Sequence, residues 1–354
     1  MQKTLIALAV LASVAGVAQA QSALTIYGKV NMGVTKLSGD TADLGLNNAT
    51  RLEANHPSRI GFLGTEDLGG GLSAIFQIEN RFNADTGALP TDQPLFSGPA
   101  FVGLAGGFGT VKLGRNFSTI DSVSSGAIDP FEGDGIGAMN TVTRLFIDNT
   151  ITYYSPEMSG FGVQAQYILG EKGINPVTGV QSPAAEQNNG YAVGVNYNNG
   201  PIYLGAGFGR EENTNKSDIW AVSGSYAFGP AKIALGYDQR KNKLNASEPK
   251  AKNTVVAGTY EIGSGLIKAA YSRTTDGVDN TATGFANTTN TFDINGNPID
   301  GGASFDNIQK LSIGYQHNLS KRTSLYADVA HTKYTDAAGS AAVTGVGVGV
   351  THNF

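Results

Sequence analysis

The sequence predicts an all-β fold, a transmembrane antiparallel β-barrel of about 16 strands. Three observations predict it. Apolar and polar residues alternate in run after run, the period of a strand with one apolar and one polar face. The runs meet by turns at tight connections and at long polar stretches. The chain also finishes on an alternating strand with a bare aromatic, Phe354. No stretch beyond the N-terminal leader is apolar enough for a spanning helix, so crossing a membrane falls to strands.

The leader comes first. Lys3 is its charged start, Leu5 to Val17 its apolar run and Ala18-Gln19-Ala20 a small-x-small cleavage site, the pattern of a removable export signal. The barrel is therefore expected over residues 21–354. The full chain carries 24 basic and 29 acidic side chains, and loss of Lys3 leaves a net charge of −6. Such mild acidity argues against a nucleic-acid partner. With 0 Cys there is no disulfide framework and no thiolate metal site. The 48 Gly in 354 residues are nearly twice the usual share of about 7%, which calls for many turns and kinked strands.

In chain order, Leu24, Ile26, Val30, Met32 and Val34 point one way, and Thr25, Tyr27, Lys29 and Asn31 the other. Ser58 to Phe82 is two alternating runs around Asp67-Leu68-Gly69-Gly70, with Leu72, Ala74, Phe76 and Ile78 opposed by Ser73, Gln77, Glu79 and Arg81. Similar tight turns fall at Gly106-Gly107, Pro156 to Gly160, Asn198 to Pro201, Gly229-Pro230, Gly263 to Gly265 and Asn318 to Arg322. Longer polar stretches separate these hairpins, and seven short turns with eight long loops give an even strand count with both ends on the short-turn side. Between two of the runs lies Arg115 to Asp148, without a sustained strand or helix period, carrying Asp121, Asp129, Glu132 and Asp134 among glycines. An insert of this length exceeds the usual loop of about 4–6 residues.

A soluble sandwich would alternate in the same way. Size and strand ends favour the membrane: soluble β domains rarely pass about 250 residues on one core. Aromatic residues Phe62, Phe82, Phe101, Phe108, Tyr153, Tyr154, Phe161, Tyr167, Tyr203, Phe208 and Tyr226 lie near strand ends, as two interfacial girdles require. The last strand sets Val346, Val348, Val350, His352 and Phe354 on one face.

Here the residues carry a family resemblance. LTIYGKVNMGV, SRIGFLGTEDLGGGLSAIFQIEN, GPAFVGLAGGFGTVKLGRN, TITYYSPEMSGFGVQAQY, GYQHNLSKRTSLYAD and the terminal VGVTHNF run from first strand to last, and the chain resembles the β-proteobacterial general porins. The resemblance implies a homotrimer of 16-stranded barrels embedded in outer-membrane lipid and lipopolysaccharide, each passing small hydrophilic solutes and ions through a water-filled pore. It implies that the third long loop, about 116–147 here, folds inward as a constriction. Arg59 of SRIGF and Arg115 of LGRN match the family's wall arginines, and Arg144, ahead of NTITYYSP, matches a third. Asp129-Pro130-Phe131-Glu132-Gly133 resembles the acidic turn of that loop with its order changed. Phe354 matches the signal read by the barrel-assembly machinery. Leu63 stands where the family often has a base, and Lys29 restores that charge on the first strand. Alternation places Lys310 on the polar face opposite Leu311, Ile313 and Tyr315, and Lys268 opposite Ile267 and Ala269.

Together, Arg59, Arg115, Arg144, Lys29 and Lys310 form the expected basic wall, facing Asp121, Asp129, Glu132 and Asp134 on the loop, with moderate anion preference. Two other classes are weighed against a pore. A hydrolase would need a nucleophile beside a base, but His56, His317, His331 and His352 accompany no nucleophile motif. A structural or adhesive barrel with a closed lumen has the same wall and differs in conductance. The glycine clusters at Gly69 to Gly71 and Gly106 to Gly109 precede no helix that would hold a phosphate, so no cofactor or metal is expected.

Overall fold

The computed structural model describes residues 23–40, 48–90, 93–133, 135–170, 189–211, 217–243, 250–278, 305–337 and 339–354. The leader, Asp134 and much of the expected long loops lie outside the described residues. The described strands are β1 (Ala23–Gly39), β2 (Arg51–Glu53), β3 (Ser58–Gly69), β4 (Leu72–Phe82), β5 (Ala100–Gly106), β6 (Gly109–Phe117), β7 (Phe146–Tyr154), β8 (Phe161–Ile168) and β9 (Gly190–Asn199). They continue as β10 (Ile202–Glu211), β11 (Ser217–Phe228), β12 (Ala231–Asn242), β13 (Lys250–Ile262), β14 (Gly265–Val278), β15 (Phe305–Asn318), β16 (Thr323–Thr335) and β17 (Ser340–Asn353).

Each strand pairs antiparallel with its neighbour, and β1 closes the sheet on β17 from Lys29 opposite Asn353 to Gly39 opposite Val343. β2 and β3 both pair with β1 and share one place in the wall, so the 17 strands form a closed barrel of 16 positions. Closure removes the unpaired edges that hydrocarbon would penalise. Backbone bonds from Gly28 N to Phe354 O and from Phe354 N to Gly28 O, both 3.0 Å, complete the seam. The interruption between β2 and β3 was not expected from the sequence. There Asn31 Oδ1 accepts the Asn55 and His56 amides at 2.8 and 3.2 Å, replacing ladder bonds with a side chain.

Outward-facing Leu24, Val102, Leu204, Leu235, Ile313 and Val348 are all exposed, a lipid-facing band whose opposite parity carries polar groups. The tight turns sit at one end; Gly70 and Gly71 have φ of 62° and 79°, a conformation that glycine adopts without a Cβ clash. Three of the expected girdle aromatics face inward instead. Phe101 is buried beneath Lys112, whose ammonium is 4.4 Å from its ring centre. Tyr154 accepts a hydrogen bond from Asn116 Nδ2 at 3.0 Å, and Tyr203 packs on an interior apolar cluster with Ile128 and Ala234. Strand parity sends these three rings inward, and nearness to a strand end does not reveal it.

The connection between β6 and β7 contains α1 (Thr119–Val123) and α2 (Ser125–Ile128). Helices of 5 and 4 residues are too short to show a 3.6-residue period. The connection packs on inward-facing wall residues: Ile120 with Ala192, Ile219 and Ala221, and Ile128, Phe131 and Met139 with Ala234, Val255, Ala257 and Ala270. Small residues make the seat. A Cβ at Gly205 would strike the Val123 carbonyl, and one at Gly236 the Ile128 side chain.

Candidate functional site

Register brings three cations together. Lys29 on β1 lies opposite Arg59 on β3, and Arg59 opposite Arg81 on β4. Val30 and Ile60, next to Lys29 and Arg59, and Phe76 on β4, an odd number of positions from Arg81, are exposed on the other parity, so all three cations point inward. Directly opposed side chains have Cβ atoms about 4.5–5.5 Å apart, a spacing at which like charges repel. Two carboxylates relieve the row. Glu79 Oε1 accepts from Arg81 Nε at 3.0 Å, and Glu132 Oε2 accepts from Lys29 Nζ at 2.7 Å. Glu79 is held by Tyr27, whose hydroxyl donates to Oε2 at 3.0 Å while accepting from Gln77 Nε2 at 2.6 Å. Arg59 has no carboxylate within ion-pair distance among the described residues.

Arg115 reaches this region through a bulge. Strict alternation would group it with Val111 and Leu113, but Gly114 has φ of 133° and the β6–β7 register shifts between Gly114 and Asn116. An extra residue on one strand re-aims the side chains around it. The Arg115 guanidinium lies 5.1 Å from the Phe146 ring centre, and Arg81 lies 4.9 Å from the same ring. Arg115 also donates to Ser97 O at 2.8 Å and to Asp148 Oδ1 at 2.5 Å. Arg144 is partly buried on the segment that returns to β7. Lys310 is buried on the inward parity of β15, opposite Ser272 and Thr332.

The loop acids fall into different environments. Asp129 accepts backbone N–H bonds from Phe131 (2.8 Å), Gly133 (3.0 Å) and Met139 (3.2 Å), which tie the turn together. Burial lifts its pKa to about 6 against those donors and against the nearby Lys310 charge. Asp121 is buried within the loop and accepts from Thr143 Oγ1 at 2.7 Å; burial, aided by Asp238 and Asp129, lifts its pKa to about 7. Glu132, in a left-handed conformation with φ of 60°, extends to Lys29. Partial desolvation opposes its ionisation, but the charge and hydrogen bond of Lys29, with the Lys268 charge, hold its carboxyl below the usual range. Of the expected acids, then, Glu132 meets the basic row, Asp121 and Asp129 hold the loop's shape, and Asp134 lies outside the described residues.

Two residues of this region were not singled out from the sequence as site candidates. Arg81 completes the row; its place on the polar face, paired with the strand of Arg59, was the available signal. Asp238 is the loop's receptor on the wall, accepting from Val142 N at 2.6 Å, Thr141 Oγ1 at 3.2 Å and Asn253 Nδ2 at 2.9 Å. Around it Asn253 Nδ2 donates to Asn140 O at 2.7 Å and Arg240 Nε to Val142 O at 3.0 Å. Lys268 sits over the buried Phe131 ring at 5.5 Å. The arrangement can attract a charged solute; among the described residues no nucleophile–base pair occurs in it.

Comparison with known proteins agrees with this architecture. The profile of a family described as Gram-negative porin matches residues 7–353. An outer membrane porin protein of Bordetella pertussis is 30% identical over 398 residues, and outer membrane porin protein 32 of Delftia acidovorans 31% over 394, each alignment covering 100% of both chains. The solved structure of an anion-selective porin from Comamonas acidovorans superposes with a TM-score of 0.74 at 26% identity, covering 94% of this chain and 100% of that one.

Proposed function

The chain belongs to the Gram-negative porins, non-enzymatic outer-membrane barrels that pass small hydrophilic solutes by passive diffusion, and we propose that its basic row makes this pore moderately anion-selective. Lys29, Arg59, Arg115, Arg144 and Lys310 supply wall charge at a constriction formed by the loop of residues 116–147, and Glu132 cancels part of it. The observation that carries this reading is the register of Lys29, Arg59 and Arg81. Three cations across adjacent strands, with Arg59 outside ion-pair distance of any described carboxylate, focus a positive potential in a low-dielectric wall. Arginine keeps its charge at any physiological pH. The Comamonas acidovorans relative is itself anion-selective.

The zero-current potential of the reconstituted pore across a KCl gradient tests this. We expect the anion-selective sign in the wild type and a move toward cations in an Arg59→Ser, Arg144→Ser double variant. A wild-type potential of the cation-selective sign overturns the proposal, and an unchanged potential in the variant removes those two arginines from the constriction.

The same reading includes removal of residues 1–20 on export, assembly of homotrimers, contact with lipopolysaccharide and use of Phe354 as the assembly signal. Phe354 is an exposed ring at the seam with β1. An Phe354→Ala variant is expected to reach the outer membrane more slowly and in lower amount, measured by pulse-chase fractionation; wild-type kinetics would contradict that role.

A further inference from the structure

The inward face of β4–β8 carries a cation that the basic row does not use. On the tight-turn side of that row, register sets one level across five strands: Ile75 on β4, Gly103 on β5, Lys112 on β6, Thr152 on β7 and Gln166 on β8. Lys112 is the one charged residue of that level. The neighbouring levels on the same strands, from Gln77 to Ile168 on one side and from Ser73 to Gln164 on the other, hold no acid. Three residues along β6 separate Lys112 from Arg115, roughly 10 Å at about 3.3 Å per residue. An anion leaving the basic row therefore meets the field of Lys112 within about one Debye length at 0.1 M salt.

In place of an acid, Lys112 has two rings. Its ammonium lies 4.4 Å from the Phe101 ring centre and 4.8 Å from that of Tyr154, and no described carboxylate is within ion-pair distance of it. Both rings are held: Phe101 is buried in the wall, and Asn116 Nδ2 donates to the Tyr154 hydroxyl at 3.0 Å. Aromatic faces attract a cation through their quadrupole but do not neutralise it. The ammonium thus keeps its full charge while the rings displace part of its water, so an incoming carboxylate has less hydration to strip than at an open lysine. The same pairing stands at the row itself, where Arg81 and Arg115 lie 4.9 and 5.1 Å from the Phe146 ring centre. A solute moving down this wall passes from cations and a ring to a cation between two rings.

We propose that Lys112, Phe101 and Tyr154 form a second anion station on the tight-turn side of the basic row, and that its preferred solutes are aromatic carboxylates. The chemistry selects this class. Lysine offers one compact charge, suited to a single carboxylate, whereas two-pronged recognition of phosphate belongs to the arginine fork. The adjoining rings offer faces and edges to a planar apolar body, and an aromatic pair adds a factor of about 2–12 in affinity. Gly103 and Thr152, on either side of Lys112, keep bulk away from it. The proposal rests on the anion-selective reading of the pore.

The test is current block in planar bilayers at about 0.1 M KCl, where the Debye length is about 10 Å. Benzoate and cyclohexanecarboxylate, equal in charge and close in size, are titrated against the open-pore current until it falls to half. The proteins are the wild type, Lys112→Gln, a Phe101→Leu, Tyr154→Leu double variant, and a Lys232→Gln control. Lys232 is also inward, beside the exposed Ile233 of β12, and has no ring contact among the described residues. In the wild type, benzoate should block at a concentration at least about threefold below that of cyclohexanecarboxylate. Lys112→Gln should raise the benzoate concentration about fivefold, the double variant should bring the two acids level, and the control should match the wild type. Equal block by the two acids in the wild type overturns the proposal, as does a benzoate preference undiminished in Lys112→Gln or surviving loss of both rings. Ordinary KCl conductance shows that each barrel is folded and open, and should the double variant fail to assemble, the wild type and Lys112→Gln decide. The KCl zero-current potential separates the two readings: a cation-selective wild type faults the anion reading, whereas an anion-selective wild type blocked equally by both acids faults only the station.

Discussion

A single backbone conformation settles where Arg115 points. Alternation alone assigns it to the outer face with Leu113; left-handed backbone at Gly114 and the lost register step bring it to the Phe146 ring that Arg81 also touches. The parity of Lys29 and Lys310 was legible in the alternation of their strands, and Arg59 was assigned by family resemblance. The bulge was not, because glycines are so abundant that one before Arg115 carries no special signal. Asp121 illustrates a second limit: its carboxyl reads as a loop charge, whereas its chemistry follows from burial. With a folded pKa of about 7 against an unfolded value of about 3.9, the folded chain binds more protons than the unfolded one between those values. Stability therefore falls as pH rises from about 4 to about 7. We expect a higher Tm at pH 5 than at pH 8 in detergent, and a smaller difference in Asp121→Asn, which keeps an acceptor for Thr143. An undiminished difference in that variant would assign the effect to other groups.

At the scale of elements, the strands were legible because period 2 is strong where one face meets lipid, and turn glycines mark their ends. The break between β2 and β3 was hidden, since four irregular residues inside a wall strand resemble an ordinary loop end. The loop's seat was hidden for a different reason. Asp238 and Asn253 lie on a polar face that would look the same if it lined water, yet they bind the Asn140 to Val142 backbone. Removing the Asp238 carboxylate leaves the Val142 amide without its acceptor, and a buried donor without a partner costs about 1–3 kcal/mol. Asp238→Ala should therefore preserve the strand signal in circular dichroism while increasing open-channel current noise as the loop loosens. Noise and conductance equal to the wild type would mean that apolar packing of Ile120, Ile128 and Phe131 suffices to hold the loop.

For the whole molecule, net charge and local charge oppose each other. The chain is formally −5, which taken alone would favour cations, but a permeating ion responds to charges within about one Debye length. That length is about 10 Å at 0.1 M salt and about 3 Å at 1 M, so on the proposed reading the local charges of Lys29, Arg59 and Arg81, and not the net charge, set the sign. Two acids are near enough to subtract from the row, Glu79 at 3.0 Å from Arg81 and the exposed Glu132 carboxylate at 2.7 Å from Lys29. Glu132→Gln should thus move the zero-current potential further in the anion direction, with Lys29 left uncompensated, whereas Arg59→Ser moves it the other way. Raising mean KCl from 0.1 to 1 M at a fixed tenfold gradient should shrink the potential of the wild type and of Glu132→Gln alike. A potential independent of salt concentration would mean that pore width rather than wall charge sets the preference.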